Sequence, residues 1–246
     1  CVTGEHLVMN TFANQTLFRA CGVTYVAPLS ENVFQCEHKL YGTVVIKVAR
    51  SLAEKRALMA EADFLSKYAS DYWANFHGYG SQNHADWLMS QYLEGKTLNA
   101  IEPDLLPQDL ITKLEFALLN LHKTGYLHGD IKPHNVIVTP NNQVRLIDFG
   151  SVIRVDAKYR EHSHTTVSRA YSATRPCLRI GPASKNDDFY ALAMTLLSCH
   201  DQHPFAGLSL QEAAELLPTP SNIDLPTRYQ ILIQKEWQRM RHSLKL

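Results

Sequence analysis

From Val23 onward the chain alternates apolar and polar positions in short runs, a period of two that predicts strands. Val23–Ala27 reads as the first strand, Pro28-Leu29-Ser30-Glu31-Asn32 as a turn, and Val33–His38 as the second strand. After the tight turn Tyr41-Gly42, the β-branched run Thr43-Val44-Val45-Ile46-Lys47-Val48 reads as the third. At Ser51 the spacing lengthens. Leu52, Leu58, Ala62, Leu65 and Ala69 fall on one side of a helix predicted over Ser51–Tyr68. Trp87–Tyr92 is a further strand, broken by Leu93-Glu94-Gly95. Beyond Gly95 helices dominate. Pro107–Lys123 carries an apolar stripe of Leu110, Leu114, Ala117, Leu118 and Leu121. Asn135–Val138 and Gln143–Ile147 read as two short strands around the turn Pro140-Asn141-Asn142, and helices are predicted over Asp187–His200, Leu208–Leu217 and Tyr229–Met240. Residues 1–20 are weakly patterned, a short helix or an arm. The pattern divides the chain into an N-terminal extension (1–20), a small β-rich unit with one helix (21–95) and a larger, mainly helical unit (96–246). The class is α+β, and a cleft between two such lobes is a natural ligand site.

Composition narrows the choices. Of 246 residues, 45% are hydrophobic and 20% charged, so a folded core is expected rather than a disordered or fibrous chain. Lys+Arg and Asp+Glu are equal at 24 each, which argues against a polycation built for nucleic acid or an anionic membrane. No apolar run approaches the ~18 residues of a spanning helix. The 5 cysteines are widely spaced with no C-x-x-C pair, so a disulfide framework or zinc site is not expected, and a reducing, cytoplasmic setting fits. The chain opens on Cys1 rather than Met and reads as a processed product or a fragment. Nothing flanking Cys1 supports a lipid anchor.

The chemistry concentrates in His128-Gly129-Asp130-Ile131-Lys132-Pro133-His134-Asn135, followed across a strand–turn–strand by Asp148-Phe149-Gly150. Each residue taken singly could cap a turn or end a strand; the set at this spacing is the informative feature. It resembles the catalytic loop and metal-binding segment of eukaryotic-like (Hanks-type) serine/threonine protein kinases, H-x-D-x-K-x-x-N followed by D-F-G, in the compact bacterial form. The resemblance spans roughly Val23–Met240 and implies a two-lobed kinase fold. It makes Asp130 the group that orients the attacking hydroxyl and Lys132 the cation on the transferred phosphoryl group. Asn135 and Asp148 become the ligands of Mg2+, a hard ion that demands oxygen donors. In Val44-Val45-Ile46-Lys47 it makes Lys47 the cation for the α- and β-phosphates of ATP. Glu61, in the following helix, becomes the partner of Lys47, with Glu54 as its competitor on the same helix face.

By the same resemblance, Val33 and Val45 floor the adenine, and Ser30 and Asn32 at the turn tip donate to phosphate. Backbone groups near Gln91 and Leu93 bind the adenine edge, and Ser90 lies at the back of the pocket. Leu65, Phe149 and His128 form an apolar column. Asp188, at the start of a helix, braces the catalytic loop.

The pattern departs from the family in three places. The phosphate-covering hairpin has no glycine between Gly22 and Gly42, and it places Glu31 beside a triphosphate. The arginine of the family's H-R-D is Gly129, which argues against strict control by phosphorylation at Ser163, Thr165, Thr166 or Ser168. The family's A-P-E reads Ala173-Thr174-Arg175, so its buried ion pair with a late arginine is expected to be lost, leaving a shortened C-terminal lobe. His162-Ser163-His164 has half the look of a metal site but lies in a loop. Lys235, Arg239, Arg241 and Lys245 read as a solvated helix face.

The expected function is ATP- and Mg-dependent phosphorylation of a Ser or Thr in a protein substrate, with no nucleic-acid or membrane partner; the oligomeric state stays open, a monomer being compatible. It would act in a bacterial cytoplasm or, for a secreted effector, in that of a host. Two alternatives stay open: a pseudokinase binding module, favoured by the glycine-free loop, and a small-molecule phosphotransferase resembling aminoglycoside and choline kinases. The retained polar set opposes the first; Lys132 and Phe149-Gly150 count against the second.

Overall fold

The computed structural model describes residues 14–216 and 224–246. The fold is α+β, and the chain divides into two compact units, Cys1–Leu93 and Glu94–Leu246. Most of the predicted 1–20 segment (1–13) and the end of the helix predicted to Leu217 lie outside the described residues.

In the first unit, a helix over residues 14–20 (α1) precedes an antiparallel sheet of β1 (Val23–Ser30), β2 (Val33–His38) and β3 (Gly42–Ala49). Helix α2 (Leu52–Lys67) then leads to β4 (Phe76–Gln82) and β5 (Ala85–Gln91), giving the sheet order β1-β2-β3-β5-β4. The strand period sorts the side chains. Phe34, Cys36, Val44, Ile46, Val48 and Met89 fall on one face and bury against Leu17 and Phe18 of α1. The other face carries Val33, Val45, Lys47 and Ser90, in register as Val33 opposite Lys47 and Val45 opposite Ser90. Full burial of each large apolar side chain contributes about 1.5–3 kcal/mol, so α1 is part of this core.

Two elements differ from the sequence pattern. The first strand does not stop at Ala27. It runs through Pro28 to Ser30 with irregular register, leaving a two-residue turn at Glu31-Asn32. Proline is tolerated there because β1 is an edge strand. Neither Glu31 nor Asn32 takes a positive φ, so this turn does not demand glycine. Strand β4 has no counterpart in the pattern. Its Gly78 and Gly80 lie under the Trp87 ring, where a Cβ on Gly80 would come within 2.9 Å of Cζ2. The β4–β5 turn places Asn83 and His84 at φ 49 and 65, the left-handed pair that tight hairpins favour.

Helix α2 opens on a capping box. The Ser51 hydroxyl accepts from the Glu54 N–H at 3.2 Å, and Glu54 accepts from the Ser51 N–H at 2.8 Å. Its buried stripe is Leu58, Glu61, Ala62, Phe64 and Leu65.

The second unit is mainly helical. It contains β6 (Lys96–Thr97), α3 (Leu110–Lys123), β7 (Tyr126–Leu127), β8 (Val136–Val138), β9 (Val144–Leu146) and β10 (Ile153–Arg154). These strands form a β6-β8-β9 sheet and a β10-β7 pair. The helices α4 (Thr174–Leu178), α5 (Lys185–Cys199), α6 (Leu210–Leu216) and α7 (Thr227–Leu244) complete the unit. Leu114, Leu118 and Leu121 of α3 are fully buried, as are Leu192, Ala193 and Met194 of α5. Truncating one such leucine to alanine costs about 2–5 kcal/mol. Helix α3 starts three residues later than Pro107, because Gln108 and Asp109 form a turn closed by the Leu110 N–H on the Pro107 carbonyl at 3.1 Å.

Beside Ala173-Thr174-Arg175, helix α7 supplies an acid of its own. Glu236, 1% exposed, accepts from the Thr174 N–H at 3.1 Å and pairs with Arg239 one turn on. Arg175 faces Asp187 at 3.6 Å. Neither contact is the glutamate–arginine pair that the family resemblance implies.

Candidate active site

Each unit carries its own polar set. In the first, Lys47 sits on the sheet face opposite the core because Val44, Ile46 and Val48 take the buried side. Its Nζ donates to both carboxylate oxygens of Glu61 at 2.8 Å. Both side chains are largely removed from water, 19% and 6% exposed, so removing either one strands the other's charge in a poorly solvated place. Glu54 is engaged elsewhere: the capping hydrogen bonds of Ser51 and Arg50 hold its carboxyl below the usual range.

Ser30 is exposed, and the Asn32 amide lies 3.5 Å from Glu54. The Asn32 carbonyl accepts from the Val48 N–H at 2.9 Å, which fixes the turn over β3. At the end of β5, the Gln91 N–H already donates to the Asn75 carbonyl at 2.9 Å. Among the described residues the Leu93 backbone makes no hydrogen bond. Ser90 is buried.

In the second unit, Asp130, Lys132 and Asn135 come together on one loop, and the N–H of Ile147, the residue before Asp148, donates to the Asn135 carbonyl at 3.0 Å. Asp130 Oδ2 accepts from Lys132 Nζ at 2.7 Å and from Asn135 Nδ2 at 3.0 Å. Asn135 Nδ2 also reaches the Asp130 carbonyl at 2.8 Å. The amide nitrogen of Asn135 is thereby fixed, which leaves its Oδ1 as an oxygen donor suited to a hard cation. Asp148 holds a left-handed φ of 65 and is exposed. Among the described residues there is no cluster of three or more His, Cys, Asp or Glu side chains placed to hold a metal. His162 and His164 instead meet the backbone carbonyls of Lys158 and Val152 at 3.1 and 2.8 Å.

Asp188 anchors the loop. Its Oδ2 accepts from the His128 N–H at 2.9 Å and lies 2.8 Å from His122 Nε2, while its Oδ1 accepts from the Gly129 N–H at 3.0 Å. Burial pushes this carboxyl upward, but the hydrogen bond and charge of His122, with the other donors, outweigh it and hold the group below its usual range. The His128 ring packs on Phe149 at 4.9 Å. Gly129 takes a φ of 79, and a Cβ there would lie 2.3 Å from the Ser151 carbonyl oxygen. Arginine is not merely absent at this position. The backbone excludes it.

One residue beyond the sequence-predicted set joins the site. The Ser168 hydroxyl donates to Asp130 Oδ1 and accepts from Lys132 Nζ at 3.1 Å. Its separation from Asp130, 38 residues, carries no periodic signal.

A carboxylate that takes an O–H while an ammonium group flanks it is an arrangement compatible with phosphoryl transfer. The comparisons with known proteins agree. The protein kinase domain family matches residues 30–242. A probable serine/threonine-protein kinase of Clostridium perfringens is 26% identical over 198 residues, covering 75% of this chain and 29% of that protein. Serine/threonine-protein kinase D of Synechocystis is 31% identical over 128 residues, 49% of this chain and 25% of that one. PrkC of Bacillus subtilis, a serine/threonine-protein kinase, is 25% identical over 123 residues, 48% and 19%. The chain belongs to the protein kinase domain family. It spans less than a third of the length of these curated relatives.

Proposed function

We propose that this chain is an ATP- and Mg-dependent protein kinase that phosphorylates a Ser or Thr hydroxyl of a protein substrate. The observation that carries the reading is the Ser168 hydroxyl on Asp130 Oδ1 beside Lys132. It supports Asp130 as an acceptor of a hydroxyl proton and Lys132 as a cation next to the reacting oxygen. In the proposed reaction Asp130 orients the substrate hydroxyl and Lys132 neutralises charge on the transferred group. Lys47, steadied by Glu61, pairs with the α- and β-phosphates, and Val33, Val45 and Leu93 contact the base. The Asn135 Oδ1 and the Asp148 carboxylate suit Mg2+, which supplies charge neutralisation on the phosphate oxygens when bound.

The excluded arginine at Gly129 supports activity that is not strictly dependent on activation-loop phosphorylation. Among the described residues no helix is long and apolar enough to cross a membrane. The test offers γ-labelled ATP with magnesium, a mixed peptide library and a set of aminoglycosides to the purified chain. The expected result is label on Ser and Thr peptides that chelation of magnesium abolishes. Label on the small molecules, or ATP binding without transfer, overturns the proposal.

A further inference from the structure

Resting on the kinase reading, we propose that Arg179 is a positioning residue that holds the segment Tyr159–Thr165 in its working arrangement without a phosphate. Its guanidinium makes four hydrogen bonds, all to that segment. Nη2 donates to the carbonyls of Tyr159 and His162, both at 2.7 Å, and Nη1 donates to the Thr165 carbonyl and hydroxyl at 3.3 and 3.2 Å. A planar fork with five N–H donors suits such convergent carbonyls, which a single ammonium cannot span.

The backbone is adapted to this task. Arg179 terminates α4 with a φ of 53, a conformation that a residue with a side chain keeps only where its surroundings hold it. The segment is pinned at both ends. The buried Tyr159 donates its hydroxyl to Asp187 at 3.0 Å, and the Thr165 hydroxyl donates to the His162 carbonyl at 2.9 Å.

The clamped segment leads directly into the site. The Thr166 N–H donates to the Ser151 hydroxyl at 3.0 Å, and two residues later Ser168 meets Asp130 and Lys132. Ser151 is also the residue whose carbonyl closes off Gly129. One local arrangement thus excludes an arginine at position 129 and supplies an arginine from the opposite direction along the chain. That arginine grips the segment by its backbone, where no modification is needed.

The experiment compares wild type with Arg179→Ala, Arg179→Gly and Arg179→Lys in the 246-residue chain. Glycine relieves the left-handed backbone while removing the guanidinium, so it separates the clamp from folding strain. Hydrogen exchange at the His162, Thr165 and Thr166 amides is expected to speed up at least about tenfold in the Ala and Gly variants, and α5 amides to be unchanged. Peptide kcat/KM is expected to fall by about tenfold or more with the KM for ATP unchanged, and Lys to give intermediate values. Wild type treated with phosphatase keeps both its protection and its turnover.

Unchanged exchange at those amides in Arg179→Gly overturns the proposal. So does equal loosening of α5, or collapse of protection in wild type on dephosphorylation. If wild type transfers no phosphate at all, the kinase reading fails while the exchange comparison still decides the clamp.

Discussion

The replacement of Asp188 probes how the fold holds its catalytic loop. Three donors converge on this carboxylate, the N–H groups of His128 and Gly129 and the His122 ring, and the side chain is 2% exposed. A hydrogen bond to a charged group contributes about 1.5–3 kcal/mol, and a buried donor left without a partner costs about 1–3 kcal/mol. Asparagine keeps one oxygen, which can serve His122 and His128, but it turns an amide N–H2 toward the Gly129 N–H. Asp188→Asn is therefore expected to lose about 2–3 kcal/mol, and Asp188→Ala, which strands all three donors, about 3–5 kcal/mol.

The depressed carboxyl also sets a pH dependence. A folded value below the unfolded one means that the stabilisation is present above about pH 4 and is lost as pH falls through the folded value. Asp188→Asn lacks that acid limb. Urea unfolding across pH 3–7, with hydrogen exchange at the Gly129 and Asp130 amides, measures both effects. A variant within about 0.5 kcal/mol of wild type, with loop protection intact, refutes the assignment of Asp188 as the anchor.

The other buried groups give further outcomes. Lys47→Met is expected to lower kcat/KM for ATP by at least about a hundredfold, and the accompanying Glu61→Gln change to restore stability but not turnover, read by steady-state kinetics and thermal unfolding. Burial pushes the Asp187 carboxyl up to about 6, against the Ser184 N–H, the Tyr159 hydroxyl and Arg175. Because the folded value lies above the unfolded one, stability falls as pH rises from about 4 to about 6, by about 3 kcal/mol relative to Asp187→Asn. Paired urea titrations at the two ends of that window check it. Gly129→Ala is expected to cost about 2–4 kcal/mol, from the left-handed φ and the contact with Ser151, and equal urea midpoints for it and wild type contradict the excluded-arginine argument.

Much of the site was legible because its residues lie on short, local elements. Lys47 falls on the β-branched strand and Glu61 on the buried stripe of the next helix, 14 residues on. Asp130, Lys132 and Asn135 share one loop. The parts that escaped depend on contacts distant in sequence or on permissive geometry. β4 lacks an apolar alternation because its glycines make room for the Trp87 ring. β1 continues through a proline that only an edge strand tolerates. Ser168, Arg179 and Glu236 act through partners 38, 20 and 62 residues away, and no period in the chain encodes such distances.

The account depends most on Asp130 as the group that prepares a Ser or Thr hydroxyl for phosphate. The direct measurement is phosphoamino-acid analysis of a mixed protein substrate after incubation with labelled ATP and magnesium, comparing wild type with Asp130→Asn. Label on serine and threonine, reduced about a thousandfold or more by the substitution, is the predicted result. Equal labelling by the two proteins, or label confined to tyrosine, contradicts it.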